Sequence, residues 1–352
     1  MPTLLKPLQY LSLMMVTFSF LCNACISKKK ILPVAHNSLW QMIRYNKGSE
    51  IMALDTAFLM VSNRHFMTEQ VQFADEQTDT TQQHILYIGR KNNFIYVYEL
   101  NSLQEGIALF PKKNWVLYTE GMGKTFTGNI ERATLMTKTY DVQVILFDYA
   151  SINSTLGGKK NFDFSMQNAL ASSHQYTQFL KEISTIHQQT TLFEGVHISL
   201  FLHSMGNLMF RKMMLDNEYK VLGNHQFIQH ILFNAACVNR KNHHQWLANI
   251  DFAQHLYIHY NQADKKLNGA MVISGNRKLG SKPCRPFARN VSYIDFHNAV
   301  GNNHSYFLNI PGRDFVMSDA IQQYYTTVLN GRPYDVDSLL KPSRIVGFNM
   351  IH

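Results

Sequence analysis

The pentapeptide Leu202-His203-Ser204-Met205-Gly206 constrains this chain more than any other feature. It stands between an apolar run at 196–202 and a helix-like stretch at 207–215, and so reads as a strand, a sharp turn and a helix. A serine on such a turn lifts its hydroxyl above the edge of a sheet, while the N–H of the next residue, Met205, points into the same space. That is the layout of a nucleophile elbow, and acyl transfer is the chemistry it serves. A Ser-x-Gly after a strand is also what a plain tight turn looks like, so the decision falls to the residues downstream.

Composition excludes several classes. A chain of 352 residues with 45% hydrophobic content buries a full core, and a charged fraction of 16% with this apolar content does not describe a disordered chain. The net charge is +9, but outside Lys28-Lys29-Lys30 the basic residues are scattered. Nucleic acid would need a basic face with interleaved aromatics, and no nucleic-acid partner is expected. The sixteen histidines are dispersed, and His243-His244 lacks neighbouring ligands, so neither a metal nor a cofactor is expected.

The first thirty residues read as an address. Lys6 precedes an apolar stretch at 10–21 of signal-peptide length, short for crossing a bilayer. It ends in Leu21-Cys22-Asn23-Ala24-Cys25, which loosely resembles a bacterial lipoprotein box and is followed by the polar tether Ser27-Lys28-Lys29-Lys30. The expectation is a signal peptide at 1–24, lipidation of Cys25, and an exported protein of the cell envelope, in the periplasm or on the outer membrane, held to the membrane by that anchor. An ordinary signal peptide or an uncleaved N-terminal anchor is the other reading. Cys237 and Cys284 would then be the remaining cysteines, and in an oxidising compartment they could pair.

Residues 25–113 form a tether and a β-rich N-terminal extension, with short apolar runs at 51–61, 84–88 and 94–100 separated by a polar stretch at 75–83 that reads as a loop. From 114 to 352 strands alternate with helices, which implies a mostly parallel sheet covered on both faces. The strand candidates are 115–119, 142–147, 196–202, 230–233, 255–260 and 291–296, and helical periodicity runs over 130–139, 164–186 and 207–215.

A serine hydroxyl is a poor nucleophile until a histidine takes its proton, and the histidine needs a carboxylate to fix its tautomer. Behind an elbow of this kind the partners follow in the order acid, then histidine, on loops after strands. Asp264 follows the strand at 255–260, in Asn261-Gln262-Ala263-Asp264-Lys265-Lys266-Leu267, and His304 follows the strand at 291–296, in Asn303-His304-Ser305-Tyr306-Phe307. Asp251 competes for the acid role and His297 for the base, although His297 falls beside the last strand, before the loop where the base belongs. Asp148 ends a central strand and is a candidate either to line the site or to cap that strand. Gly121-Met122-Gly123-Lys124-Thr125 has the end of a phosphate-binding loop, but the glycine needed five residues before Gly123 is Tyr118, and the cradle is not formed.

Over residues 115–320 the chain resembles the bacterial α/β-hydrolases whose elbow reads Ala-His-Ser-Met-Gly-Asn. His203-Ser204-Met205-Gly206-Asn207 matches the elbow, Asp264-Lys265-Lys266-Leu267 the acid segment, His304-Ser305-Tyr306-Phe307 the base segment, and Tyr118-Thr119-Glu120-Gly121-Met122-Gly123 the oxyanion segment. The resemblance implies an α/β-hydrolase fold and a serine hydrolase of esters, thioesters or amides. Ser204 would attack, His304 would carry the proton, Asp264 would orient His304, and the N–H groups of Met205 and Met122 would hold the oxyanion, with His203 and Glu120 lining the site. The substrate would be a small or lipid-like acyl compound. Two departures stand out. Leu202 occupies a position where the family has a small residue, which implies a wider turn, and Glu120 replaces a histidine, bringing a charge that opposes an oxyanion if it faces one. A catalytically silent binding protein on the same fold is the alternative from another class.

Overall fold

The computed structural model describes residues 39–48, 50–334 and 349–351; the expected signal peptide, Cys25 and the tether at 27–30 lie outside them. Among the described residues, eleven strands form one sheet: β1 (Ile43–Lys47), β2 (Thr56–Ser62), β5 (His84–Lys91), β6 (Phe94–Leu100), β7 (Trp115–Thr119), β8 (Gln143–Asp148), β9 (Ile198–His203), β10 (Ile228–Asn234), β11 (Ala253–Tyr260), β12 (Val291–Asp295) and β13 (Asn349–Ile351). Their spatial order is β1-β6-β5-β2-β8-β7-β9-β10-β11-β12-β13. From β2 to β12 every neighbouring pair is parallel, which gives the mostly parallel α/β architecture expected from the alternation of strands and helices.

Every residue of β7, β8 and β9 is buried. That explains why these strands read as continuous apolar runs rather than alternating patterns: helices cover both faces. Among the described residues, six helices have ten or more residues: α1 (Phe126–Tyr140), α2 (Gly158–Ala171), α3 (Ser173–Gln189), α4 (Gly206–Leu215), α5 (Lys265–Ser274) and α6 (Asp319–Leu329). The single helix expected at 164–186 is two. They meet at Ser172, whose hydroxyl donates to the Asn168 carbonyl at 2.7 Å and accepts from Asn63 Nδ2 at 2.9 Å, so a side chain that bonds backward and sideways marks the break.

The β-rich stretch before residue 114 adds strands to the edge of the same sheet, through antiparallel β2–β5 and β5–β6 pairs. Part of the polar segment at 75–83, read as a loop, is instead strand β4 (Gln72–Thr78), paired with β3 (Arg64–Met67). Its charge is met internally: Asp75 accepts the backbone N–H of Phe126, the first residue of α1, at 2.7 Å and lies 3.6 Å from Arg64.

The strand order locates the site. After β7 the chain passes to β8 on one side, and after β8 it crosses to β9 on the other side of β7. The loops leaving the carboxyl ends of β7 and β9 therefore diverge, and a crevice opens between them, where open α/β sheets bind their ligands. Gly121 and Ser204 sit on those two loops.

Candidate active site

Ser204 has φ of 52°, a left-handed conformation rare for a residue with a side chain, and it is held there by its surroundings. Its N–H donates to the Asn234 carbonyl at 3.0 Å, and its carbonyl accepts from the Cys237 N–H at 3.0 Å and from Asn207 Nδ2 at 3.0 Å. Two glycines let the neighbouring loop approach. A Cβ on Gly206 would lie 2.8 Å from the carbonyl oxygens of both Thr119 and Glu120, and one on Gly121 would lie 2.6 Å from the Cβ of Ser204. The crowding is thus relieved after the serine, at Gly206. Leu202, expected to widen the turn, is buried in the core at the end of β9 and leaves the strained serine conformation in place.

The acid and the base meet across 40 residues of sequence. Asp264 is fully buried at the N-cap of α5, where Oδ1 accepts the backbone N–H groups of Lys266 and Leu267 at 2.9 and 3.0 Å, while Oδ2 faces His304 Nδ1 at 2.6 Å. One carboxylate therefore starts a helix and holds an imidazole, and the helix fixes the carboxylate in turn. With Nδ1–H donated to Asp264, Nε2 of His304 remains to receive a proton. His304 and Ser204 line one cavity of about 460 Å³, with no hydrogen bond between them among the described residues. Such bonds are commonly long before substrate binds.

The N–H groups of Met205 and Met122 have no other acceptor among the described residues, and both residues line this cavity. His203 lines it too. Its Nδ1 lies 3.0 Å from Asn234 Oδ1 and its Nε2 3.3 Å from Ser305 Oγ, and its ring rests on that of His304 with centroids 4.7 Å apart. Burial above all, opposed by Glu120 and reinforced by His304, holds His203 well below the usual histidine range, so it is a neutral wall of the site.

Glu120 is buried and lines the cavity, but its carboxylate is occupied. Oε1 accepts from the Tyr118 hydroxyl at 2.6 Å and lies 3.3 Å from Arg132 Nε, and Oε2 accepts the Gly121 N–H at 2.9 Å. Burial would raise its pKa. The charges of Lys124 and Arg132, with the hydrogen bond from Tyr118, outweigh that and hold the carboxyl well below the usual range, so burial does not protonate it.

Two readings left open by the sequence are decided. Asp148 does not line the cavity. It is fully buried, paired with Arg64 Nε at 2.8 Å, and it accepts from Ser62 Oγ at 2.7 Å and Asn129 Nδ2 at 2.6 Å. Arg64 in turn donates to the Lys124 carbonyl at 2.9 Å, so the pair supports the loop after β7 from beneath. Cys237 and Cys284 do not pair; both are free. Cys237 instead lines the cavity beside Ser204, and burial pushes its thiol up to about 11, which keeps it protonated and a poor nucleophile at neutral pH. The competing candidates Asp251 and His297 do not line the cavity either.

Sequence reasoning missed Arg64, Arg132 and Cys237, which carry no local motif. Lys266 stands in the acid segment, whose pattern points only to the carboxylate. A family model described as an alpha/beta hydrolase of unknown function (DUF900) matches residues 99–308, a span that contains Ser204, Asp264 and His304. No curated protein and no solved structure matches the chain.

Proposed function

We propose that this chain, which belongs to that alpha/beta hydrolase family, is a serine hydrolase that cleaves an ester, thioester or amide through an acyl-enzyme. The observation that carries the reading is the convergence, on one cavity, of a serine in a strained elbow and a histidine already oriented by a buried carboxylate. Ser204 Oγ attacks the carbonyl carbon as His304 Nε2 takes its proton, and Asp264 stabilises the imidazolium so formed. The N–H groups of Met205 and Met122 bind the oxygen that becomes negative. Collapse expels the leaving group, which takes the proton from His304; water, activated by the same histidine, then releases the acyl group and restores Ser204.

A fluorophosphonate probe tests the reading directly. Ser204 is expected to be labelled, and the Ser204→Ala variant to remain unlabelled while folding normally. Labelling that persists in Ser204→Ala would place the nucleophile elsewhere, and a folded wild-type protein that resists the probe would favour the silent binding protein.

The N-terminal address extends the proposal to location. We place the protein in the cell envelope with Cys25 as its lipid anchor, on the sequence pattern alone. Stable anchoring usually takes two hydrophobic signals, which a cysteine carrying more than one acyl chain would supply. Cys25→Ser is expected to move the protein from the membrane to the soluble fraction of its host; a variant that stays with the membrane would overturn the anchor.

A further inference from the structure

Resting on the reading of Ser204 as nucleophile, we infer that the preferred substrate is an ester whose leaving group carries an anionic substituent, a carboxylate or a phosphate, beside an uncharged acyl part.

A second cavity of about 210 Å³ shares Lys265, Lys266, His304 and Ser305 with the first and continues to Arg313. Charge around the two cavities is lopsided. Glu120 is the one acid lining either of them among the described residues, and it is engaged by Arg132. Asp264 is engaged by His304. Lys124, Lys266 and Arg313 enter no ion pair among the described residues. They are nonetheless close enough to act on one another: after desolvation, Arg313 is the leading influence that lowers Lys266, and Lys266 and Arg313 both depress Lys124, while Glu120 offsets part of the effect at both lysines. Glu120 is thus one carboxylate shared among Arg132, Lys124 and Lys266, which leaves a surplus of positive charge, and an anion seated among the cations relieves their repulsion.

Stereochemistry says which part of the substrate carries that anion. The carbonyl oxygen must point at the N–H groups of Met205 and Met122, and the leaving oxygen must lie near His304 Nε2, which protonates it. The leaving group therefore departs past His304, into the cavity that holds Lys266 and Arg313. The acyl part stays in the first cavity, whose lining includes lysines such as Lys124 and Lys159 but where Phe162, Leu267, Ala270 and Ile273 offer an apolar wall to an uncharged chain.

Three aryl butyrates of similar size test this, with carboxylate, phosphate or carboxamide at the same ring position. The kcat/KM of an anionic ester is expected to exceed that of the carboxamide roughly tenfold, and the ratio to fall towards one at high ionic strength. The better of the two anionic esters identifies which anion the cavity takes. In K266Q/R313Q the ratio is expected to collapse, and continued turnover of the carboxamide ester shows that the variant is folded. A wild-type ratio at or below one, or a ratio indifferent to salt and to the double substitution, overturns the inference while leaving the hydrolase reading intact. Failure to hydrolyse all three esters, together with no fluorophosphonate labelling of Ser204, removes both.

Discussion

Ser204→Ala and His304→Ala are each expected to lower kcat/KM on a turned-over ester by roughly 1000-fold or more, because nucleophile and base act as a unit and loss of either removes the covalent route. The double variant is expected to be little worse than either single one. Asp264→Asn separates orientation from chemistry. The amide nitrogen would face His304 Nδ1 at the present 2.6 Å contact, a donor against a donor, and the imidazole is driven to the tautomer that cannot accept the serine proton. Turnover is expected to fall by at least about 100-fold while retaining a remnant above the Ser204→Ala level. Asn remains a competent helix cap, so α5 is expected to persist, and melting temperature separates a chemical loss from a folding loss. Near wild-type rates in Ser204→Ala would remove the mechanism. Additive losses in the double variant would show that the two residues do not share a step.

What the sequence made legible divides by the range of the interactions. The elbow is local: a strand, a residue forced to positive φ and a glycine two positions later all lie within one short segment, and the pattern shows in the residue types. The parallel sheet was legible because burial on both faces demands long apolar runs, as at β7, β8 and β9. The candidate acid and base were found through chain order, which the topology imposes. The buried Arg64–Asp148 pair was not legible, because 84 residues separate its members and neither stands in a motif. The partner of Glu120 is nearer in sequence, but it too stands in no motif. A carboxylate beside an oxyanion loop looks like an obstacle until Arg132, on the helix that follows, is seen against it. β4 was misread because polarity usually marks a loop, whereas here Asp75 is buried against Arg64 and the start of α1. In each case a contact with another strand or helix supplies what the local residues lack, and periodicity carries no trace of it.

Glu120→Gln is expected to lower stability by about 3 kcal/mol at neutral pH, since it leaves Arg132 as a buried cation without its carboxylate. For a domain of this size that corresponds to a fall in melting temperature on the order of 5–10 °C. The sign of the pH dependence follows from the direction of the shift. Glu120 is held below its ordinary range when folded, so its ionised form favours the folded state at every pH above the unfolded value, about 4.3. That contribution disappears as the pH falls through the window below 4.3 towards the folded value. The gap in melting temperature between wild type and Glu120→Gln is therefore expected to be full at pH 7, still full near pH 6, and narrowing below about pH 4. Calorimetric scans of both proteins across that range check it. Because Oε1 and Oε2 are spent on Tyr118, Arg132 and the Gly121 N–H, the carboxylate is not free to repel an oxyanion, and kcat at permissive temperature is expected to change by less than about threefold. A large rise in kcat with unchanged stability would mean that the charge does face the oxyanion. An unchanged melting temperature and an unchanged rate would mean that the contact with Arg132 contributes nothing, and that a neutral residue serves the loop equally well.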